Sequence, residues 1–253
     1  MTMDIAGHRL PAWTSLLVWA ALWELAGRLE LTMLIPPLTH ILVRLGEIVP
    51  TESFAEALAL TARAFALGSA IAIAVGAPLG VLMGRLPTLD RLLLPWVNVF
   101  VSAPLSALVP VIMALFGFGE TTIVLTVVLF ALWIIMLDAR AGARGIAPSL
   151  VEMARSYGAS PLQSFVKICL RAALPEILAG IRLGLVRAVK GVIIGQLLIS
   201  VVGFGHLFEL YSSNFLMEHM WALLLVLFAL AFAIDGVMGW LERKVEYYAA
   251  VRA

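Results

Sequence analysis

Cysteine is nearly missing from this chain. Cys169 stands alone in 253 residues, which excludes an internal disulfide and any cysteine-based metal cluster. Histidine is also sparse, and His8, His40, His206 and His219 lack the clustered spacing of metal ligands; no metal is expected. Charged residues make up only 13%, against about 25% in soluble domains. No Gly-x-x-x-x-Gly-Lys-Ser/Thr loop occurs, so the chain does not bind ATP by that route. Asp138, Asp235 and Glu24 are not spaced to form a catalytic set at one membrane depth, and no histidine joins them. No catalytic residue and no cofactor is therefore expected, which disfavours an integral-membrane enzyme. No internal repeat is evident, which weakens the alternative of an inverted-repeat secondary transporter or a channel. The net charge of +1 gives no reason to expect nucleic acid as a partner.

What fills the chain is apolar sequence. Sixty-two per cent of residues are hydrophobic and mean hydropathy is +1.04, so lipid is the expected surrounding. A hydrocarbon core about 30 Å thick takes about 20 residues of helix to cross. Windows of that size give six candidate spans: 12–29, 57–84, 92–116, 120–139, 176–202 and 217–241. The reading is an all-α membrane protein with a single transmembrane domain over residues 1–253. The first span is rich in tryptophan (Trp13, Trp19, Trp23), and Glu24-Leu25-Ala26-Gly27-Arg28 makes a poor cleavage site. It reads as a retained helix, not a signal peptide.

Orientation follows from lysine and arginine. With the N-terminus in the cytoplasm, Arg9, Arg85, Arg91, Arg140, Arg144, Arg155, Lys167, Arg171, Arg243, Lys244 and Arg252 fall inside. Only Arg28 and Arg44 fall in outer loops, and the last outer loop (203–216) has neither residue type. Both termini are expected in the cytoplasm, together with the polar segment 140–175. The outer connection 30–56 holds Pro36-Pro37 and then an amphipathic stretch, expected as a short interfacial helix.

Two spans have unusual punctuation. Pro95, Pro104 and Pro110 interrupt the third, with Ser102 and Ser106 among them. Proline removes a backbone donor, and in lipid the freed carbonyls must meet protein or a water-filled cavity. Pro104 and Ser106 are thus candidates for lining a pathway, beside the plainer reading of a kinked structural helix. Gly68, Gly76, Gly80 and Gly84 put small residues on one face of the second span, which favours close helix packing.

The polar segment carries helix punctuation. Pro148 suits a first helical turn, and Glu152 lies early enough to favour the helix dipole. Gly158 supplies a stop. Ser160-Pro161-Leu162-Gln163 reads as a second start, with Ser160 as N-cap and Gln163 closing a capping box. Leu162, Phe165, Val166 and Cys169 follow at helical spacing, and Pro175 is expected to end the element.

Glu152-Met153-Ala154-Arg155-Ser156-Tyr157-Gly158-Ala159-Ser160, with nine residues between Gly158 and Ile168 and a closing Leu174-Pro175, resembles the EAA loop of ATP-binding-cassette importer permeases. The rest of the chain is similar to the nitrate/sulfonate/taurine/bicarbonate branch of that family. Trp23-Glu24-Leu25-Ala26, Ile35-Pro36-Pro37, Arg63 with Gly68, Gly76-Ala77-Pro78-Leu79-Gly80, Phe116-Gly117-Phe118-Gly119 and Gly203-Phe204-Gly205 carry that likeness. The resemblance implies a type I importer fold: six helices per subunit in a homodimer, in a bacterial inner membrane. It implies a coupling helix within 140–175 that docks on a separate cytoplasmic ATPase, and a periplasmic or lipid-anchored binding protein that delivers substrate. Glu152, Ala154, Gly158, Ala159, Ser160 and Pro175 are the coupling positions so implied. Met153 departs from the family's middle alanine, and Arg171 stands where this branch often has an earlier proline. The implied cargo is a small anion such as a sulfonate, nitrate or carboxylate.

The fifth span also holds Arg182, Arg187 and Lys190. Basic residues facing lipid at mid-membrane are costly, so these should face a partner or a cavity. At about 100° per residue they share an arc of roughly 140°, and Lys190 lies about 22 Å along the helix from Pro175. Arg187 and Lys190 are candidates for an anion pathway, with ion pairing as the structural alternative. Arg182 is expected to pair with Asp235 on the sixth span.

Overall fold

In the computed structural model the backbone is described for residues 2–5, 8–11, 13–30 and 32–250, and side chains for 14–30, 32–237 and 239–240. The expectations at Arg9, Trp13, Arg243, Lys244 and Arg252 fall on side chains outside the described residues. Two short antiparallel strands, β1 (Thr2–Ile5) and β2 (His8–Pro11), come first. Every other described element is helical: α1 (Trp13–Arg28), α2 (Leu38–Ile48), α3 (Glu52–Arg85), α4 (Pro87–Ser102), a 3-10 turn (Leu105–Leu108), α5 (Val109–Phe116), α6 (Glu120–Arg144), α7 (Pro148–Ser156), α8 (Pro161–Ser164), a π turn (Phe165–Cys169), α9 (Leu170–Ile199), α10 (Gly203–Ser213) and α11 (Met217–Ala250).

Among the described residues, α3, α6 and the Met217–Val237 part of α11 are each long and apolar enough to cross a membrane. Two bent pairs pass together: Pro87–Ser102 with Leu105–Phe116, bent by 98°, and Pro161–Ile199 with Gly203–Ser213, bent by 49°. That makes three spans, or up to five if each pair is one span. The remaining expected span, α1, has 16 residues and reaches only about 24 Å at the helical rise. Its end is committed elsewhere: a Cβ at Gly27 would lie 2.5 Å from Pro37 N, so α1 closes against the Pro36-Pro37 turn.

The expected third span is not one kinked helix. Pro95 is tolerated inside α4, but the chain breaks after Ser102, where Ala103 and Pro104 are non-helical. Proline disfavours helical geometry at the residue before it, and Ala103 is accordingly extended at ψ 149. Pro175 differs in the other direction. It lies inside α9 and does not end the preceding element, because one lost bond is outweighed by good helix formers and a packed face on either side. The segment 203–216, expected as a loop, contains the helix α10.

Three long helices form the centre. α6 packs along α3 on one side and α9 on the other. The glycines of α3 make the first contact close: a Cβ at Gly80 would sit 2.3 Å from Met136 O, and one at Gly68 would sit 2.6 Å from Val127 Cβ. A second glycine face, missed in the sequence, lies on α9. There a Cβ at Gly184 would fall 2.3 Å from Ile135 Cγ1. Ala64, Ala72, Ile123, Val127, Ala131, Ile135, Ala188 and Val192 fill the space between. Small residues let backbones approach and gain dispersion contacts where no hydrophobic drive operates in lipid.

Candidate functional site

The segment between α6 and α9 is a compact helix–turn–helix. α7 starts at Pro148, whose missing N–H costs nothing in a first turn. It ends in a Schellman motif: Ala159 N donates to Ala154 O at 3.0 Å and Gly158 N to Arg155 O at 2.9 Å, with Gly158 at φ +75. The next element opens with the capping box read from the sequence. Ser160 Oγ accepts from Gln163 N at 3.3 Å, and Ser160 N donates to Gln163 Oε1 at 3.0 Å. Every orphan group at the turn that these bonds reach is satisfied, so the segment holds a fixed shape.

Glu152, Ala154, Gly158, Ala159 and Ser160 are brought together in this unit, whereas Pro175 is placed apart from it in α9. Ala154 is the buried anchor, and Glu152 and Arg155 are exposed. Met153, Tyr157 and Leu162 are 47%, 87% and 72% exposed. Three large apolar side chains exposed on one capped element form a surface suited to a protein partner.

Connectivity gives that surface leverage. α7 follows the end of α6 after three residues, and α8 runs through the π turn into α9. A force on the segment therefore acts on the two helices of the central contact.

The charged residues of α9 occupy a second region. Arg182 Nη2 lies 3.7 Å from Asp235 Oδ1. Arg187 lies within electrostatic reach of Asp138, whose buried Oδ2 has no hydrogen-bond partner. Lys190 is exposed on the single subunit. Pro104 and Ser106 are exposed at the bend between α4 and α5, and the 3-10 turn there lies against α9. The elements carrying all four candidate pathway residues are thus neighbours.

Several ionic contacts escaped the sequence reading. Asp90 at the start of α4 accepts from Arg140 Nη2 at 2.8 Å, from Arg140 Nε, and from Arg144 Nη1 at 3.1 Å. Arg63 and Glu120 form a two-pronged pair, with Nε to Oε1 at 2.6 Å. On the side opposite the α7–α8 segment, Glu218 accepts from Arg44 at 2.7 Å and contacts His40 at 3.1 Å. The hydrogen bond to Glu218, followed by those to Glu47, raises the Arg44 pKa. Glu24 accepts from Thr39 N at 3.0 Å and Oγ1 at 2.9 Å, tying α1 to the first turn of α2. Gln196 is fully buried and donates to Thr61 Oγ1 at 2.7 Å, joining α9 to α3 beside Gly203 and Gly205 at the start of α10. Paired opposite charges on adjacent spans were the available signal, but partner choice across tens of residues depends on the fold.

Residues 76–247 match the family described as "Binding-protein-dependent transport system inner membrane component". The chain belongs to that family. A taurine transport system permease protein of Escherichia coli is 27% identical, over 91% of this chain and 86% of its own length. An aliphatic sulfonates transport permease protein of Bacillus subtilis is 31% identical, over 79% of this chain and 72% of its own. Among solved structures, a chain of the MetNI methionine ABC transporter in an inward-facing conformation superposes with a TM-score of 0.61. It is 24% identical, covers 81% of this chain and 96% of its own, and shares the fold. The permease is a multi-pass membrane protein, and its fold is that of type I ABC importer permeases.

Proposed function

We propose that this permease forms, as a homodimer, the translocation pathway of an ATP-driven importer of small sulfonates. It is powered by a separate cytoplasmic ATPase that grips residues 148–164. The observation that carries the reading is the capped α7–α8 unit, which presents Met153, Tyr157 and Leu162 to water while attached directly to α6 and α9. A segment of fixed shape transmits displacement where a slack loop would absorb it. ATP-driven closure of two ATPases would draw the two segments together and rock the central helices between inward- and outward-facing states.

Taurine and sulfonate transport by the relatives supports the sulfonate class. Arg187 and Lys190 support it chemically: a basic face on α9 next to the α4–α5 bend raises the local concentration of anions. Facing the dimer axis, Lys190 would escape the lipid exposure it has on one subunit. The family's own description supports a binding protein as the donor of substrate. The setting is the bacterial inner membrane, with both termini and the α7–α8 segment in the cytoplasm.

A photo-cross-linking amino acid at Met153 tests the docking directly. The expected product joins the permease to an ATPase of separate sequence, and the same probe at Phe232, exposed on the span α11, gives none. Cross-linking at neither position, with an intact assembled transporter in the sample, contradicts the reading.

A further inference from the structure

Beneath the water-facing segment lies a cavity of about 290 Å³, between the last turn of α3 and the α7–α8 turn. Arg85, Arg155 and Ser164 line it, with Val151 and Phe165 as apolar walls. Ser164 is 6% exposed, and its buried Oγ has no hydrogen-bond partner. A buried hydroxyl without a partner is destabilising, so an unmade bond points to a missing ligand. Neither Arg85 nor Arg155 forms an ion pair among the described residues, although Arg44, Arg63, Arg140 and Arg144 all do. Two arginines and one buried hydroxyl thus line one small space, and among the described residues no Asp or Glu lines it.

We propose that this cavity binds a phosphate-bearing anion, held by Arg85 and Arg155 with Ser164 as an additional donor. Guanidinium groups match phosphate oxygens in geometry and charge, and forked contacts to them are strong. The cavity's position suits the headgroup of an anionic phospholipid. Arg85 ends the span α3, which places it at the membrane surface on the side of the α7–α8 segment, where basic pockets hold lipid headgroups. The volume fits a phosphate with its first ester carbons, and leaves the acyl chains outside against lipid. Free inorganic phosphate offers the same oxygens.

Binding would tie α7 through Arg155 to α3 through Arg85. The binding itself is independent of the ATPase; only the consequence, a coupling segment steadied by membrane composition, rests on the function proposed above.

The full-length permease, purified in detergent, is titrated with phosphatidylglycerol by native mass spectrometry and with inorganic phosphate by equilibrium dialysis. The variants are the double substitution Arg85→Gln with Arg155→Gln, Ser164→Ala, and, as a control, Arg91→Gln, at a residue outside the cavity lining whose Nε donates to the Pro87 carbonyl. The double variant is expected to weaken phosphate-group binding at least tenfold and Ser164→Ala severalfold, with Arg91→Gln unchanged. A loss seen with lipid alone identifies the headgroup as the source. One seen in dialysis alone identifies soluble phosphate. If the double variant does not fold, Arg155→Gln alone carries the test, because that side chain is exposed. Unchanged affinity for both ligands in the folded variants overturns the proposal. So does unchanged affinity with lost ATPase assembly, which would assign the cavity to the protein partner.

Discussion

Asp90 shows how much one buried carboxylate organises. It is 8% exposed and accepts from both Arg140 and Arg144, so it fastens the broken α4–α5 segment to the C-terminal end of α6. Arg144 is 65% exposed and solvent screens part of its charge, so removing the carboxylate, which leaves the largely covered Arg140 without its partner, is expected to cost about 1–3 kcal/mol. Asp90→Asn keeps some hydrogen bonding and is expected near the lower figure. A thermal melt of the purified protein checks this, and an unchanged midpoint would remove the cluster from the account. Lys190 makes a different prediction at the same scale. Lys190→Gln is expected to leave assembly intact and raise the KM for an alkanesulfonate, a net anion, about tenfold, the low end of electrostatic focusing. An equal loss for a neutral solute of similar size would assign Lys190 to packing instead.

At the scale of elements, the turn between α7 and α8 was legible because caps are local chemistry. Gly158, Ser160 and Gln163 act on groups three to five residues away, and the sequence displays all of them together. The glycine face of α3 was legible for the same reason. That of α9 was not, since Gly180, Gly184, Gly191 and Gly195 lie among charged residues that drew the reading toward function. The two faces predict one outcome. Gly80→Leu places a side chain where even Cβ would meet Met136 O at 2.3 Å, and overpacking of that kind costs about 1–3 kcal/mol or more. The variant is expected to lose monodispersity in size-exclusion chromatography, whereas Gly46→Leu, with open space at its Cβ, elutes as the parent does. The misplaced boundaries were governed by longer-range terms. Pro175 stays helical because α6 supports α9 along its length, and α1 stops short because Gly27 meets Pro37.

Over the whole molecule, the sequence conveyed lipid residence, helical class and the polar segment, because each rests on composition or short-range pattern. It did not convey the 98° bend as a break, the two-sided packing of α6, or the ionic ties among Asp90, Arg140 and Arg144. Those depend on which helices become neighbours. The resulting architecture is a capped helix–turn–helix segment fused to the two helices at the centre of the bundle. Under the function proposed above, force enters there. ATP-dependent taurine uptake into proteoliposomes, measured for the complete transporter carrying Gly158→Pro, tests that claim most directly. Proline cannot adopt the positive φ of +75 at this position, and it removes the N–H that bonds Arg155 O. The account predicts a normally inserted permease with uptake abolished. Uptake at the parent rate would contradict it.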